Sequence, residues 1–311
     1  MKMRGAAGRM KIAACVVTYN RKELLNKCLE CLTNQTVKEF DIILVDNGST
    51  DGTREMIEEK WNENSITYHN TGCNLGGAGG FHRLMKIALE QEYEYIWIMD
   101  DDTLAQETAL ESLLEADRIL QGDYGFLSSA ALWSDGNACI MNRQKIKEPW
   151  YGKLPLLKDG LLPVRMATFV SFFVKASVVM EVGLPIKEFF IWGDDVEYSQ
   201  RIAKKYPCYI VGKSQVIHQT ANNVGSNIAQ DTPDRISRYK YAYRNEVYIA
   251  RKSGAWAMLR QLAKIGYHCV RVLCSHNPCK FKKICVILGS SAKGFAFSPS
   301  IEYVSSNRKE G

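Results

Sequence analysis

Short apolar runs alternate with longer stretches of helical periodicity along the first half of the chain. Residues 12–18 and 42–45 are runs rich in β-branched side chains, which indicates strands buried on both faces. Between them, apolar side chains recur at helical spacing from Leu24 to Leu32. A strand, a helix and a second strand in this order predict a parallel sheet covered by helices.

The alternation continues to about residue 120 and then becomes less regular. It predicts helices at 53–61, 81–90 and 109–120, and strands at 66–69 and 95–99. Further along it predicts strands at 126–131, 167–174 and 208–211, and helices at 176–182, 196–205, 236–252 and 256–274. We therefore expect an α/β domain over residues 1–225 and a helical C-terminal extension over residues 226–311.

Polar clusters follow three of the predicted strands. They are Thr18 to Asn20, Asp46 to Ser49, and Asp100 to Asp102. In open sheets, ligands bind at the carboxyl ends of the parallel strands, where loops and helix N-termini converge. The common position of the clusters predicts one binding site at this edge of the sheet.

The triplet Asp100-Asp101-Asp102 suggests a metal site. Three successive carboxylates repel one another unless a cation or basic groups neutralise them. Hard oxygen ligands suit Mg²⁺ or Mn²⁺ beside phosphate oxygens. The alternative is an exposed acidic turn that favours the start of the next helix.

Two further segments carry candidate chemistry. An aromatic run at 189–192 precedes Asp194 and Asp195, and one of these aspartates could remove a proton from an acceptor hydroxyl. The alternative is that they cap the following helix. His218 follows an apolar run; a histidine there is more often structural, but imidazole also binds Mn²⁺ beside carboxylates.

A glycine-rich stretch at 74–80 opens a predicted helix, so its backbone amides could approach an anionic ligand. A dinucleotide-binding fingerprint would follow the first strand directly, but Thr18 to Arg21 occupy that place. The sequence therefore argues against a dinucleotide-dependent dehydrogenase.

Charge is distributed unevenly along the chain. Residues 1–246 hold 29 Lys and Arg against 32 Asp and Glu, whereas residues 247–301 hold nine Lys and Arg and no acidic residue. Apolar and aromatic residues interleave with these cations at helical spacing, which favours an anionic membrane surface over nucleic acid as the partner of 247–301. The alternative is a helix packed on the α/β domain with a solvated basic face.

The expected location is cytoplasmic, with peripheral attachment to the inner face of the cell membrane. The ten cysteines are scattered, no apolar run reaches the ~20 residues of a membrane-spanning helix, and the first apolar run lacks a cleavage site.

Together these residues resemble glycosyltransferase family 2 and its GT-A fold over roughly residues 12–220. The motifs are 16–21, 45–53, the aspartate triplet and 193–197, in consistent order. Within the family the resemblance is strongest to bacterial galactofuranosyltransferases, which join Asn-Leu-Gly-Gly-x-Gly-Gly-Phe, three aspartates, Trp-Asp-Asp and a downstream metal-binding histidine. One departure is the glycine in Trp192-Gly193-Asp194-Asp195, which makes the role of Trp192 less certain than that of the aspartates.

The resemblance implies a metal-dependent inverting transfer of galactofuranose from a UDP-sugar to a glycan or lipid-linked glycan acceptor. Asp100, Asp102 and His218 would hold Mn²⁺ or Mg²⁺; Asp195 would be the general base, and Asp194 would hold a sugar. The nucleotide sugar would contact Thr18, Asn20, Asp46, Asn47, Gly76, Gly77, Arg83 and Asp101. Trp192, Phe172 and Phe173 would stack on a sugar; for the two phenylalanines the alternative is a buried strand. The alternatives are rhamnosyl transfer from a dTDP donor and a non-catalytic carbohydrate- or nucleotide-binding protein on this fold.

Overall fold

The computed structural model describes residues 10–61, 66–148, 152 and 154–304. The described strands are β1 (Ile12–Thr18), β2 (Asp41–Asp46), β3 (Ile66–Asn70), β4 (Tyr95–Asp100), β5 (Thr103–Ala105), β6 (Phe126–Leu132), β7 (Lys145–Ile146), β8 (Leu161–Met166), β9 (Phe172–Lys175) and β10 (Tyr209–His218). The helices are α1 (Lys22–Thr33), α2 (Thr53–Lys60), α3 (Gly76–Glu90), α4 (Ala109–Ile119), α5 (Leu154–Leu157), α6 (Ala176–Val182), α7 (Asp194–Ala203), α8 (Tyr239–Lys252), α9 (Ala255–Cys274) and α10 (Lys280–Ala296).

One sheet runs through the α/β domain in the order β3-β2-β1-β4-β9-β6-β10-β8-β7, and β5 pairs with β10. The four strands from β3 to β4 are parallel, which confirms the prediction for the first half of the chain. Beyond β4 the sheet is mixed: β9 is antiparallel to β4 and β6, and β8 is antiparallel to β10. Strands β6 and β10 pair in parallel and run in the same direction as β1 to β4, which confirms the expectation of a mostly parallel sheet.

Helices cover the sheet on both faces and form two apolar cores. Trp97 and Phe173 belong to the core on one face, and Ile98 and Phe172 belong to the core on the other. Neighbouring residues of β4 and β9 point to opposite faces because side chains alternate along a strand. The strand ends between these cores carry the polar clusters.

Several predicted bounds are corrected by the structure. Residues 167–171 are a loop, and the strand predicted there begins only at Phe172. Strand β8 was not predicted, since Pro163 and Arg165 interrupt its apolar pattern, and helix α3 begins at Gly76, inside the glycine-rich stretch. Helix α10 was not predicted either; its Gly294 lies against Val247 of α8, where a Cβ would be 2.6 Å away.

The C-terminal extension packs on the α/β domain through α8 and its final segment. Helices α8, α9 and α10 share a core that includes Tyr243, Ile265 and Ile287. Beyond them, the Glu302 carboxylate lies 2.7 Å from Lys86 Nζ on α3 and 3.3 Å from Lys187 Nζ. All ten cysteines are free. No helix in the described ranges is long and apolar enough to cross a bilayer.

Candidate active site

The polar clusters after β1 and β4 meet at one edge of the sheet. These strands pair with Val17 opposite Asp100, so the residues that follow are neighbours. The Thr18 hydroxyl donates a 2.7 Å hydrogen bond to Asp101 Oδ2. Thr18 thus orients an aspartate of the triplet, and both side chains are buried.

Arg21 supplies positive charge to the triplet. Its Nη1 lies 3.3 Å from Asp101 Oδ1 and 2.5 Å from Asp102 Oδ2. Burial raises the pKa of Asp101 to about 6, even though the Arg21 charge opposes this shift. Burial and the charges of Asp102 and Asp101 raise the pKa of Asp100 well above its usual value. One arginine therefore leaves the negative charge of the triplet incompletely balanced.

His218 stands beside Asp102 because β10 pairs with β5, with His218 opposite Thr103. Its Nε2 lies 2.9 Å from Asp102 Oδ1, and its Nδ1 lies 2.6 Å from Asn142 Oδ1. The amide oxygen of Asn142 only accepts, so Nδ1 carries a proton and donates it there. Burial lowers the pKa of His218, but the hydrogen bond and charge of Asp102 raise it overall.

Asp100, Asp102 and His218 fit a divalent cation. One ligand atom from each lies within 4.8 Å of the other two. The buried Asp102 Oδ1 has no partner among the described residues other than His218 Nε2 at 2.9 Å. Two carboxylates and an imidazole fixed by a second residue suit Mn²⁺ or Mg²⁺.

The aspartate pair begins α7 after a turn of unusual backbone conformation. Phe190, Trp192 and Gly193 have φ angles of 64°, 64° and 89°. Positive φ is strained for the two aromatic residues, so other contacts must hold the turn. Asn245 of α8 does this, since its fully buried Nδ2 lies 2.8 Å from the Trp192 carbonyl and 3.0 Å from the Phe189 carbonyl. The extension thus positions the aspartates.

The environments of Asp194 and Asp195 give the two carboxyl groups different pKa values. Burial and the charge of Asp195 raise the pKa of Asp194 to about 8. Burial raises the pKa of Asp195 to about 6, opposed by a 2.7 Å hydrogen bond from the Val196 backbone N–H. At neutral pH the pair therefore holds one proton, chiefly on Asp194, and Asp195 is ionised.

On the nucleotide side, the residues predicted to contact the donor also hold the loops together. Asn20 Oδ1 accepts a 2.7 Å hydrogen bond from the Thr50 backbone N–H. Asp46 is fully buried; its Oδ2 accepts a 2.6 Å hydrogen bond from the Tyr68 hydroxyl, and its Oδ1 accepts one from the Ser49 N–H. In this arrangement Asp46 shapes the turn after β2 and does not face solvent.

The first turn of α3 approaches the aromatic turn closely. Ala78 N donates to the Phe190 carbonyl at 3.2 Å, and Asn47 Nδ2 donates to the Gly76 carbonyl at 3.0 Å. The buried Asn47 Oδ1 has no hydrogen-bond partner among the described residues. Strand β2, α3 and the turn before α7 are thereby joined around the site.

Replacing Gly76 by alanine should lower the free energy of unfolding by about 3 kcal/mol, because φ is +72° and a Cβ would lie 2.1 Å from the Phe190 carbonyl oxygen. The matched control is Gly77→Ala, whose Cβ would meet no atom within 4 Å and should change stability by less than about 1 kcal/mol. Chemical denaturation measures both. Equal stability of the two variants would contradict the close approach.

The aromatic side chains predicted to stack on a sugar differ in their burial. Phe172 and Phe173 are fully buried in β9, so the structure does not offer either ring to a sugar, and that prediction is wrong. Trp192 is partly buried and packs on Tyr239, with ring centroids 5.1 Å apart. Arg83 is exposed on α3.

Three contributing residues were not predicted from the sequence: Arg21, Asn142 and Asn245. Arg21 follows the first polar cluster directly and was the most accessible to sequence reasoning. Asn142 and Asn245 act through tertiary contacts with residues 76 and 53 or more positions away. No local pattern marks them.

The fold and this site define a class of enzyme. The family model described as glycosyl transferase family 2 matches residues 13–177, and the chain belongs to that family. It is a glycosyltransferase of GT-A fold, as the sequence predicted.

Relatives extend this assignment. The chain is 27% identical to galactofuranosyltransferase GlfT1 of Mycolicibacterium smegmatis, over 80% of this chain and 86% of the relative. Its fold is similar to that of S. aureus TarS, with a TM-score of 0.52 and 15% identity, over 93% of this chain but 44% of the TarS chain. It is also similar to a mannosyltransferase from Pyrobaculum calidifontis, with a TM-score of 0.51 and 16% identity, over 92% of this chain and 75% of that one.

Proposed function

We propose that the protein is a metal-dependent inverting transferase that moves galactofuranose from UDP-galactofuranose to a glycan or lipid-linked glycan in cell-surface polysaccharide synthesis. The observation that carries the proposal is the grouping of Asp100, Asp102 and His218 at the strand edge where ligands bind. The similarity to GlfT1 supports the donor sugar. TarS solved with UDP-GlcNAc, and the mannosyltransferase solved with GDP-mannose and Mn²⁺, support a nucleotide sugar and a divalent cation.

The site residues have separate roles in this reaction. Asp100, Asp102 and His218 would hold Mn²⁺ or Mg²⁺, which when bound withdraws charge from the departing nucleoside diphosphate. Asp195, ionised at neutral pH, accepts the proton of the acceptor hydroxyl as that oxygen attacks the anomeric carbon. Asp194, protonated beside it, donates a hydrogen bond to a sugar oxygen. One displacement inverts the anomeric centre, so no enzyme nucleophile is needed.

The pH dependence should follow Asp195. A general base works only when ionised, so kcat/KM should fall as pH drops below the Asp195 pKa of about 6. Above that pH the base is ionised and the acidic limb levels off. A pH profile of initial rates at saturating metal measures the limb. A rate that stays constant from pH 7 to pH 5 would argue against Asp195 as the base.

A donor screen tests the proposed function. Purified protein with Mn²⁺ is incubated with UDP-galactofuranose, UDP-galactopyranose and dTDP-rhamnose, and transfer and slow donor hydrolysis are followed. The expected result is highest turnover with UDP-galactofuranose. Preference for dTDP-rhamnose would make the protein a rhamnosyltransferase. Tight donor binding with neither transfer nor hydrolysis would make it a non-catalytic binding protein.

We also propose that residues 247–301 bind an anionic membrane surface on the cytoplasmic side, and do not bind nucleic acid. One face of α9 exposes Trp256, Leu259, Leu262, Tyr267, Val270 and Leu273, whereas Ile265 faces the core. Phe281 of α10 is 82% exposed. Nearby cations would attract anionic headgroups. We expect the protein to sediment with phosphatidylglycerol vesicles, and we expect the double variant Trp256→Ser/Phe281→Ser to sediment less. Equal sedimentation with neutral vesicles would contradict the proposed attraction to anionic headgroups.

A further inference from the structure

A cleft of about 700 Å³ lies between the α/β domain and the C-terminal helices, and its lining does not include the aspartate triplet. Its walls come from β7, β8, α7, α8 and α9 and the residues that follow α7 and α8. Five cations line it, from both sides: Lys145, Arg165, Lys204, Arg260 and Lys264. Such a concentration of positive charge around a concave site predicts an anionic ligand.

The positive charge of the cleft is largely uncompensated. Glu246 is the acidic residue of its lining, and its two oxygens are already engaged by Lys264 Nζ at 2.7 Å and by Gln261 Nε2 at 3.0 Å. Lys204 and Arg260 form no ion pair with any described residue. The cleft therefore has cations available to bind a ligand, and a phosphate group offers the acceptor oxygens and charge that they require.

The cleft also lies next to the proposed catalytic base. Gly193 and Val196 contribute to its lining, and these residues flank Asp194 and Asp195 in the chain. Trp192 contributes an aromatic wall at the same end. A ligand that fills the cleft would thus extend to within one helical turn of Asp195, where the acceptor hydroxyl reacts.

Helix α9 presents a second, different face outside the cleft. Arg260 and Lys264 line the cleft, whereas Trp256 and Leu259, on the neighbouring face, are 78% and 56% exposed. Ile249 and Ala257 add apolar surface inside the cleft. A ligand with a phosphate group and an apolar chain matches both the cations and the adjacent apolar surface.

We propose that this cleft binds the phosphate group of an amphiphilic acceptor and so places the acceptor sugar at Asp195. The inference rests on the proposed transferase function and specifies its acceptor class. It assigns a binding role to Lys145, Arg165, Lys204, Arg260 and Lys264 that is separate from the donor site.

The experiment is isothermal titration of the full chain with geranyl phosphate, an amphiphile that needs no acceptor sugar. The test variant Arg165→Gln/Lys204→Gln/Arg260→Gln removes three cations of the cleft. The matched control Lys280→Gln/Lys282→Gln/Lys293→Gln removes three cations of α10 that do not line it. The dissociation constant should rise at least about tenfold in the test variant and stay within about twofold in the control.

Further titrations identify the chemical class of the ligand and the site where it binds. Inorganic phosphate should bind at least about tenfold more weakly than geranyl phosphate. Equal affinities would overturn the proposal that the ligand is amphiphilic. If dihexanoyl phosphatidylglycerol bound as tightly as geranyl phosphate and lost the same affinity in the test variant, the cleft would be assigned to bilayer lipid and the acceptor role would be overturned. Loss of binding in protein saturated with UDP and Mn²⁺ would place the ligand in the donor site.

Two other results would also overturn the proposal: no saturable binding to the wild type, or equal weakening in both triple variants. UDP affinity, measured on every variant, should not change and reports that each is folded. Because the titration involves no turnover, failure of the donor screen and failure of the cleft proposal are seen separately.

Discussion

Replacing Asp195 by asparagine is expected to lower kcat by about 10²- to 10⁴-fold while the KM for the donor stays within about twofold. The amide keeps the shape of the carboxylate and can still accept a hydrogen bond from the Val196 N–H, so α7 should begin normally. It cannot take a proton from the acceptor. Steady-state kinetics with the donor identified by the screen give both constants.

Asp194→Asn is the matched control because Asp194 is adjacent to Asp195 and the substitution makes the same chemical change. With a pKa of about 8, Asp194 is mostly protonated at pH 7, and a neutral amide resembles a neutral carboxylic acid. Its replacement should cost less than about tenfold in kcat. The reverse ranking, with Asp194→Asn inactive and Asp195→Asn active, would assign the base to Asp194.

Replacing Asp102 by asparagine is expected to weaken Mn²⁺ binding by about 100-fold or more, since even residues that only orient a ligand cost 10- to 100-fold. Asp102 is the residue that both His218 and Arg21 approach, at 2.9 Å and 2.5 Å. Calorimetric titration of Mn²⁺ in the presence of UDP measures the affinity directly, without turnover. Donor turnover should likewise disappear in excess chelator and return with Mn²⁺ or Mg²⁺.

Asp101→Asn provides the comparison for this measurement. Asp101 belongs to the same triplet, but its carboxylate is bound by Thr18 and Arg21 and lies outside the group of three ligand atoms. The Asp101→Asn substitution should weaken Mn²⁺ binding by less than about tenfold, because it changes only the nearby charge. Equal losses in the two variants, or full activity in excess chelator, would contradict the assigned metal ligands.

Sequence reasoning recovered the parts of the fold that have a local signal. Strands β1, β2 and β4 are nearly continuous apolar runs, and their clusters at the carboxyl ends follow from parallel pairing, so Thr18 and the triplet were placed correctly. Strand β8 and helix α10 were missed because proline, arginine, glycine and serine interrupt their patterns. Their conformation depends on the neighbours they pack against.

The candidate site was recovered less completely, for a related reason. His218 was proposed as a ligand from resemblance, but its approach to Asp102 depends on the pairing of β10 with β5, a short strand that the sequence did not reveal. For Phe172 and Phe173 the sequence left both sugar stacking and a buried strand open, and the structure places each ring in one of the two cores. Whether a side chain faces a ligand or a core is decided by tertiary packing, which local pattern does not contain.

The most direct test of the account is the stereochemistry of transfer from UDP-galactofuranose with Mn²⁺ present. The product is isolated and its anomeric configuration is read by NMR from the anomeric proton and carbon signals. A single displacement with Asp195 as base predicts a galactofuranosyl product whose configuration is opposite to that of the donor. Transfer with retained configuration, or no transfer from this donor in the presence of Mn²⁺, would contradict the account.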